Sequence, residues 1–207
     1  MDPIQRLEEI FTHFPGIGPR QAKRFVHYLQ GKSPSSVKEF VQLVEEVKKT
    51  TQECSQCHRF FAKSSAGLCS ICSDPNRERA TLMIVARDSD FESVEKSGAY
   101  RGLYFILGGV VPILDKEPER KIRLNPLLDH LNKSVYSEII LSLNTTSDGE
   151  HTTTVVKDAL LKILGDNELK INSNTQKITI LGRGLSTGAE LEYADSETIR
   201  NALGNRK

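Results

Sequence analysis

Residues 138–150 read Glu138-Ile139-Ile140-Leu141-Ser142-Leu143-Asn144-Thr145-Thr146-Ser147-Asp148-Gly149-Glu150. An apolar run short enough for a strand breaks into a polar turn, and a helical pattern follows from Glu150, strongest over 152–164. Three more runs of this kind occur: Thr81–Val85, Leu103–Leu107 and Lys177–Leu181. Helical segments at 91–97 and 125–133 fall between them. Strands alternating with helices predict an α/β fold, its sheet mostly parallel and covered on its faces. In such a sheet the carboxyl ends of the strands are where ligands and chemistry sit. The turn from Asn144 to Glu150 and its counterpart after Val85, Ala86-Arg87-Asp88-Ser89-Asp90, are therefore the first places to look for a site.

Upstream of the strands the pattern differs. Ile4, Leu7, Ile10 and Phe11, then Ala22, Phe25, Val26 and Leu29, mark two short helices joined by Pro15-Gly16-Ile17-Gly18-Pro19. A third helix is announced by Ser33 as its cap and Pro34 at its first position. Val37, Phe40, Val41, Val44 and Val47 are expected to form its buried stripe. The two glycines permit a tight hairpin, after which the second helix begins with unpaired N–H groups. Such a helix start suits an anion, and Arg20, Lys23 and Arg24 add positive charge within about a turn. DNA phosphate is the expected ligand, read without sequence preference because phosphates look alike along a duplex. A plain turn with a solvated basic face is the simpler alternative.

Between these regions lie Cys54-Ser55-Gln56-Cys57 and Cys69-Ser70-Ile71-Cys72, which account for all four cysteines. Each pair puts two thiolates on one tight turn, and two such turns close a tetrahedral shell suited to structural Zn²⁺. His58 is expected to be an ordinary surface residue, since four thiolates fill the shell. The metal would order a segment with little apolar content of its own.

Composition narrows the class further. Hydrophobic residues at 38% beside 27% charged suit a globular chain, and no apolar stretch approaches the ~18 residues of a membrane span. The N-terminus lacks the basic and apolar pattern of a secretory signal, so a cytoplasmic setting is expected, where cysteines serve as ligands rather than disulfides. The net charge is only +1, yet residues 1–80 carry 12 basic against 9 acidic side chains, and the remainder 16 against 18. A local basic surface near the N-terminus is thus permitted, though the imbalance is small. Arg59, Lys63, Arg77 and Arg79 either extend that basic track or are solvated surface.

The hairpin of residues 13–25 resembles the helix-hairpin-helix motif of proteins that bind DNA without reading its sequence. The ordered combination of hairpin, four cysteines and α/β region resembles the RecR family of bacterial recombination mediators over essentially the whole chain. The likeness continues through Tyr100-Arg101-Gly102-Leu103-Tyr104 with Leu107-Gly108-Gly109, and through Gly184–Asp195. It implies a helix-hairpin-helix module at 1–52, a four-cysteine zinc module at 53–79, a Toprim-like domain at 80–182 and a C-terminal oligomerisation segment at 183–207. It also implies a ring, a dimer or a tetramer built from dimers, that acts with RecO, and with RecF where present, to load RecA on single-stranded DNA.

Active Toprim proteins carry a Glu after the first strand and a D-x-D-x-(D/E)-G stretch after a later one. Here Ala86 stands at the Glu position, and Asn144, Thr146 and Asp148 stand before Gly149, so one acid of four remains. The family likeness therefore implies a protein without catalytic residues. The alternative is a Mg²⁺-dependent Toprim nuclease or primase-like enzyme, for which the acids are too few. Asp88, Asp90, Asp148 and Glu150 are left with two readings, interaction with helix starts or contact with a partner such as RecO. The segment Asp115-Lys116-Glu117-Pro118-Glu119-Arg120 departs from the glycine-rich loop usual in the family.

Overall fold

The computed structural model describes residues 2–115, 117, 120–164, 170–171, 174–175, 177–185, 188 and 190–205. Lys116, Pro118 and Glu119 of the departing loop, and Ser186, Thr187 and Ala189 of the C-terminal stretch, lie outside them. The chain divides into two compact units, Met1–Thr51 and Gln52–Lys207.

The first unit holds α1 (Pro3–Thr12), α2 (Pro19–Gln30) and α3 (Pro34–Thr50). Pro34 opens α3, and the Ser33 hydroxyl accepts a bond from the Ser36 N–H at 3.2 Å, so the sequence signals for its start are used. Ala22 and Val26 are buried, and the Phe11 ring lies 5.6 Å from that of Phe14 and 5.7 Å from that of Phe25. The stripe expected to be buried on α3 is not: Phe40, Val41, Val44 and Val47 are each about half exposed, and α3 has no buried residue. Periodicity marks an apolar face but does not say what covers it.

β1 (Thr51–Glu53) crosses into the second unit, and β2 (Phe60–Ala62) and the single turn α4 (Ser70–Ser73) follow; Cys54 and Cys57 lie between β1 and β2, Cys69 just before α4 and Cys72 within it. Then follow β3 (Glu78–Val85), α5 (Asp88–Ser97), β4 (Gly102–Ile106), α6 (Leu124–Lys133), β5 (Glu138–Ser142) and α7 (Ser147–Leu164). Two-residue strands β6 (Lys170–Ile171) and β7 (Asn174–Thr175) pair antiparallel ahead of β8 (Lys177–Ile180). A 3₁₀ turn at Leu191–Tyr193 and α8 (Ser196–Gly204) close the chain, α8 starting where Asp195 accepts from the N–H groups of Glu197 and Thr198.

The main sheet has strand order β4-β3-β5-β8, and every pair in it is parallel. The pleat sends alternate side chains to opposite faces. Leu82, Ile84, Leu103, Phe105, Ile139 and Leu141 meet Leu124, Leu127 and Leu131 of α6 and Val156 and Leu160 of α7 on one face. On the other, Met83, Val85, Tyr104 and Ile106 meet Phe91 of α5. The result is the α/β architecture that the alternating runs imply.

α7 begins at Ser147, three residues before the helical pattern read from Glu150 and five before Thr152. Gly149 makes the early start possible. A Cβ at 149 would stand 2.8 Å from the Asn144 carbonyl carbon and closer still to its oxygen, a space that only glycine leaves free.

Candidate nucleic-acid and metal sites

The hairpin is built from one tight turn. Pro15 precedes Gly16, which has φ +76°, and the Ile17 N–H donates to the Phe14 carbonyl at 3.1 Å. Proline at the second turn position and a left-handed glycine at the third are the marks of a type II turn. Gly18 is then the residue before α2, extended at φ −84°, ψ 171°, and its carbonyl accepts from Gln21 and Ala22. No side chain caps this start, and Pro19 at the first position has no N–H to satisfy. The N–H groups of Gly16, Gly18 and Arg20 have no partner among the described residues. A Cβ at either glycine would meet nothing within 4 Å, so the backbone is open to an approaching group. Arg20, Lys23 and Arg24 are all exposed, and none is ion-paired among the described residues. Arg24 Nη1 donates to the Gln21 side-chain oxygen at 3.4 Å.

The four cysteines converge. Their sulfurs all lie within 4.8 Å of one another, each residue is buried, and Cys57 Sγ is 3.6 Å from Cys69 Sγ. Zn–S bonds of about 2.3 Å in a tetrahedron require sulfurs about 3.8 Å apart, so the donor set fits a tetrahedral metal in number, softness and spacing. Backbone bonds shape each turn: the Cys54 N–H donates to Arg59 at 2.9 Å, the His58 N–H to Cys54 at 3.0 Å, and the Ser73 N–H to Cys69 at 3.0 Å. The Cys69 N–H points at Cys54 Sγ, 3.4 Å away. Crowding divides the thiols. Hydrogen bonding from Cys57, then from Cys69 and Cys72, holds Cys54 below the usual thiol range. Bonding with Cys54, then Cys57 and Cys69, holds Cys72 above it. Four thiols this close cannot all ionise alone, whereas a dication would allow it.

His58 is not the surface residue expected. It has φ +61°, its side chain is 22% exposed, its Nδ1 lies 2.8 Å from Glu53 Oε1, and its ring stands edge-on to Phe105 at 5.0 Å. The basic residues beside the cysteines are half-buried at Arg59 and Arg77 and exposed at Lys63 and Arg79, and three of them are engaged within the chain. Arg59 stacks over Phe91 at 4.4 Å, Arg77 is ion-paired with Glu95, and Arg79 reaches the carbonyls of Cys72 and Asp74.

At the carboxyl end of the sheet the acids do not form a nest. Among the described residues, the cysteines are the one group of three or more Cys, His, Asp or Glu side chains close enough to share a metal. Ala86 follows β3 fully buried. Asp88 accepts from the Phe60 N–H at 3.3 Å, and Asp90 accepts from the Arg87 N–H at 2.9 Å, closing the start of α5. Asp148 accepts from the Ile113 N–H at 3.3 Å, and Glu150 pairs with Arg183 at 2.7 Å. Each acid is thus engaged within the chain.

Sequence reasoning assigned no role to several residues on which this edge depends. Thr152 is fully buried, accepts from the Val111 N–H at 2.8 Å and donates to the Asp148 carbonyl at 2.6 Å. Gly102 leaves room for Thr81 Oγ1 and the Tyr100 hydroxyl, and that hydroxyl donates to the Leu103 carbonyl at 3.0 Å. Gly108, with φ +88°, leaves room for the Arg123 guanidinium. These contacts account physically for much of the stretch from Tyr100 to Gly109.

Residues 80–173 match the family model described as Toprim domain, and residues 184–207 match the one described as RecR, C-terminal. Over 205 residues the chain is 34% identical to Recombination protein RecR of Lactococcus lactis subsp. cremoris (strain MG1363), covering 99% of this chain and 96% of that protein. The chain belongs to the RecR family. The RecR protein of Bifidobacterium animalis subsp. lactis (strain AD011) is 35% identical over 204 residues, and that of Streptococcus pneumoniae (strain Hungary19A-6) 34% over 204, each covering 99% of this chain and at least 95% of the relative. RecR membership makes this a protein of DNA recombination and repair. Among the described residues, no helix is long and apolar enough to cross a membrane.

Proposed function

We propose that this chain is a non-enzymatic recombination mediator of the cytoplasm that grips DNA through its N-terminal hairpin and loads RecA on single-stranded DNA together with RecO, and with RecF where the host has it. The observation that carries the reading is the open hairpin: unpartnered N–H groups at Gly16, Gly18 and Arg20 beside the unpaired cations of Arg20, Lys23 and Arg24. Backbone donors at a helix start hold a phosphate, and the three cations add affinity that does not depend on base sequence.

In this reading the functional modules are the hairpin region at 1–52, the four-cysteine zinc module at 53–79, the Toprim frame at 80–182 and the C-terminal segment at 183–207. Cys54, Cys57, Cys69 and Cys72 hold a structural Zn²⁺, whose closed shell would order the segment and leave no open position for chemistry. One hairpin touches few phosphates, so several must act together. A homo-oligomeric ring supplies them, and the exposed apolar face of α3 supports such an assembly because a lone chain leaves it in water. Asp88, Asp90, Asp148 and Glu150 serve the frame, since each is already engaged within the chain.

The test is direct. Replacing Lys23 and Arg24 together with Glu should weaken binding to a fluorescent single-stranded oligonucleotide at low salt by at least about tenfold and flatten its salt dependence. Unchanged affinity overturns the hairpin reading. Incubation of the wild-type protein with Mg²⁺ and either single- or double-stranded DNA should yield no cleavage. Cleavage abolished by Asp148→Asn would establish the enzyme instead.

A further inference from the structure

β4 forms one edge of the main sheet, with β3 on its inner side. Along a strand, successive residues turn their backbone groups to alternate sides. The Leu107 N–H donates inward to the Val85 carbonyl at 2.9 Å, so Ile106 turns outward, where no strand follows among the described residues. An outward pair of this kind is an open template for another chain. Here both halves are taken. The Ile106 N–H donates to the carbonyl of Cys57 at 2.9 Å, and the Ile106 carbonyl accepts from Arg123 Nη1 at 3.2 Å.

Arg123 is in turn fastened to the cysteine module. Its Nε lies 3.0 Å from Glu53 Oε1, the same oxygen that meets His58 Nδ1 at 2.8 Å. Glu53 precedes Cys54 and His58 follows Cys57, so the Cys57 carbonyl reaches this edge position directly and Glu53, itself met by His58, reaches it through Arg123. The seat is shaped from below as well. A Cβ at Gly108 would stand 2.6 Å from Arg123 Nη1, and the Arg123 N–H donates to the Leu107 carbonyl at 2.8 Å.

We propose that the first CxxC turn is a bolt on the β4 edge, with Arg123 as the positioning residue that joins the two, so that metal occupancy decides whether that edge is closed. The proposal rests on the reading of the four cysteines as a metal site. A bound metal fixes the turn that presents the Cys57 carbonyl and Glu53, and its loss frees both at once. The inward bond from Leu107 to Val85 does not pass through the module, so it should survive.

The experiment uses the full-length protein. Metal content is measured first by native mass spectrometry, and the absence of any bound metal ends the metal reading and this inference with it. Amide hydrogen exchange is then followed by NMR before and after treatment with a zinc chelator. Exchange at Ile106 should accelerate on the order of tenfold or more while Leu107 keeps its protection. Loss of protection at both would mean that the metal holds the whole sheet, and no change at either that the edge is closed without it. Each of these overturns the bolt while leaving the metal reading standing. In the metal-loaded Arg123→Met variant, with its fold checked by circular dichroism, Ile106 should exchange faster and metal should pass to the chelator several-fold faster than in the wild type, with Arg123→Lys between them. Wild-type rates in Arg123→Met overturn the part given to Arg123.

Discussion

The two compact units spend their apolar residues in opposite ways. In Gln52–Lys207 the sheet buries Leu82, Ile84, Phe105, Ile139 and Leu141 completely against α6 and α7. In Met1–Thr51 only Ala22 and Val26 are buried among the described residues, while α3 keeps Phe40, Val41, Val44 and Val47 about half exposed. The second unit has a core of its own, although Leu114, Leu191 and Tyr193 stand exposed on it. The other leaves an apolar face on α3 and a basic face on α2 in water, which is the surface that the proposed assembly on DNA would use.

That contrast can be broken by mutation. Phe105→Ala should remove about 3–5 kcal/mol of stability in urea unfolding, because the ring is fully buried between layers. A loss below about 1 kcal/mol would show the second unit's core to be looser than its geometry. Thr152→Val strands the Val111 N–H and should cost about 1–3 kcal/mol by the same measurement. Val44→Glu should instead leave the stability of the separate chain within about 0.5 kcal/mol. Its effect should fall on assembly, read as a lower mass in light scattering at equal concentration. An unchanged mass would remove α3 from the interface.

The smallest effect concerns pH. Burial, and then the neighbouring His58, hold the His130 imidazole below its usual pKa, and its Nε2 meets the Tyr136 hydroxyl at 2.6 Å. A histidine with a lowered folded pKa binds its proton more readily when unfolded, so its contribution is complete at neutral pH. That contribution fades as pH falls below about 6.5. His130→Gln should flatten the slope of stability in that window relative to the wild type. Identical slopes would show that His130 does not contribute.

The regular elements were legible because their signals are local. The run Glu138–Ser142 is β5 as read, and Ser33-Pro34 opens α3 as its residues require. The start of α7 was not legible, since Ser147-Asp148-Gly149 has the composition of a turn and only the close approach of Asn144 explains a helix there. The convergence of the cysteines followed from their spacing. What surrounds them did not: the path from Glu53 through Arg123 to Ile106 joins positions far apart in sequence, and no periodicity encodes it. The acids after β3 and β5 likewise gave no hint that Phe60 and Ile113 would occupy Asp88 and Asp148.

The close fit at Gly149 bears on how easily this fold could regain chemistry. The bend after β5 takes its dimensions from main-chain atoms, so rewriting Asn144 and Thr146 as acids would leave its path intact, whereas any side chain at 149 would force the loop outward. Shape and acid content are therefore separable at this bend: Asn144 and Thr146 are exposed and free to change, while the missing carbon at 149, like the buried Ala86 across the sheet edge, is held by packing.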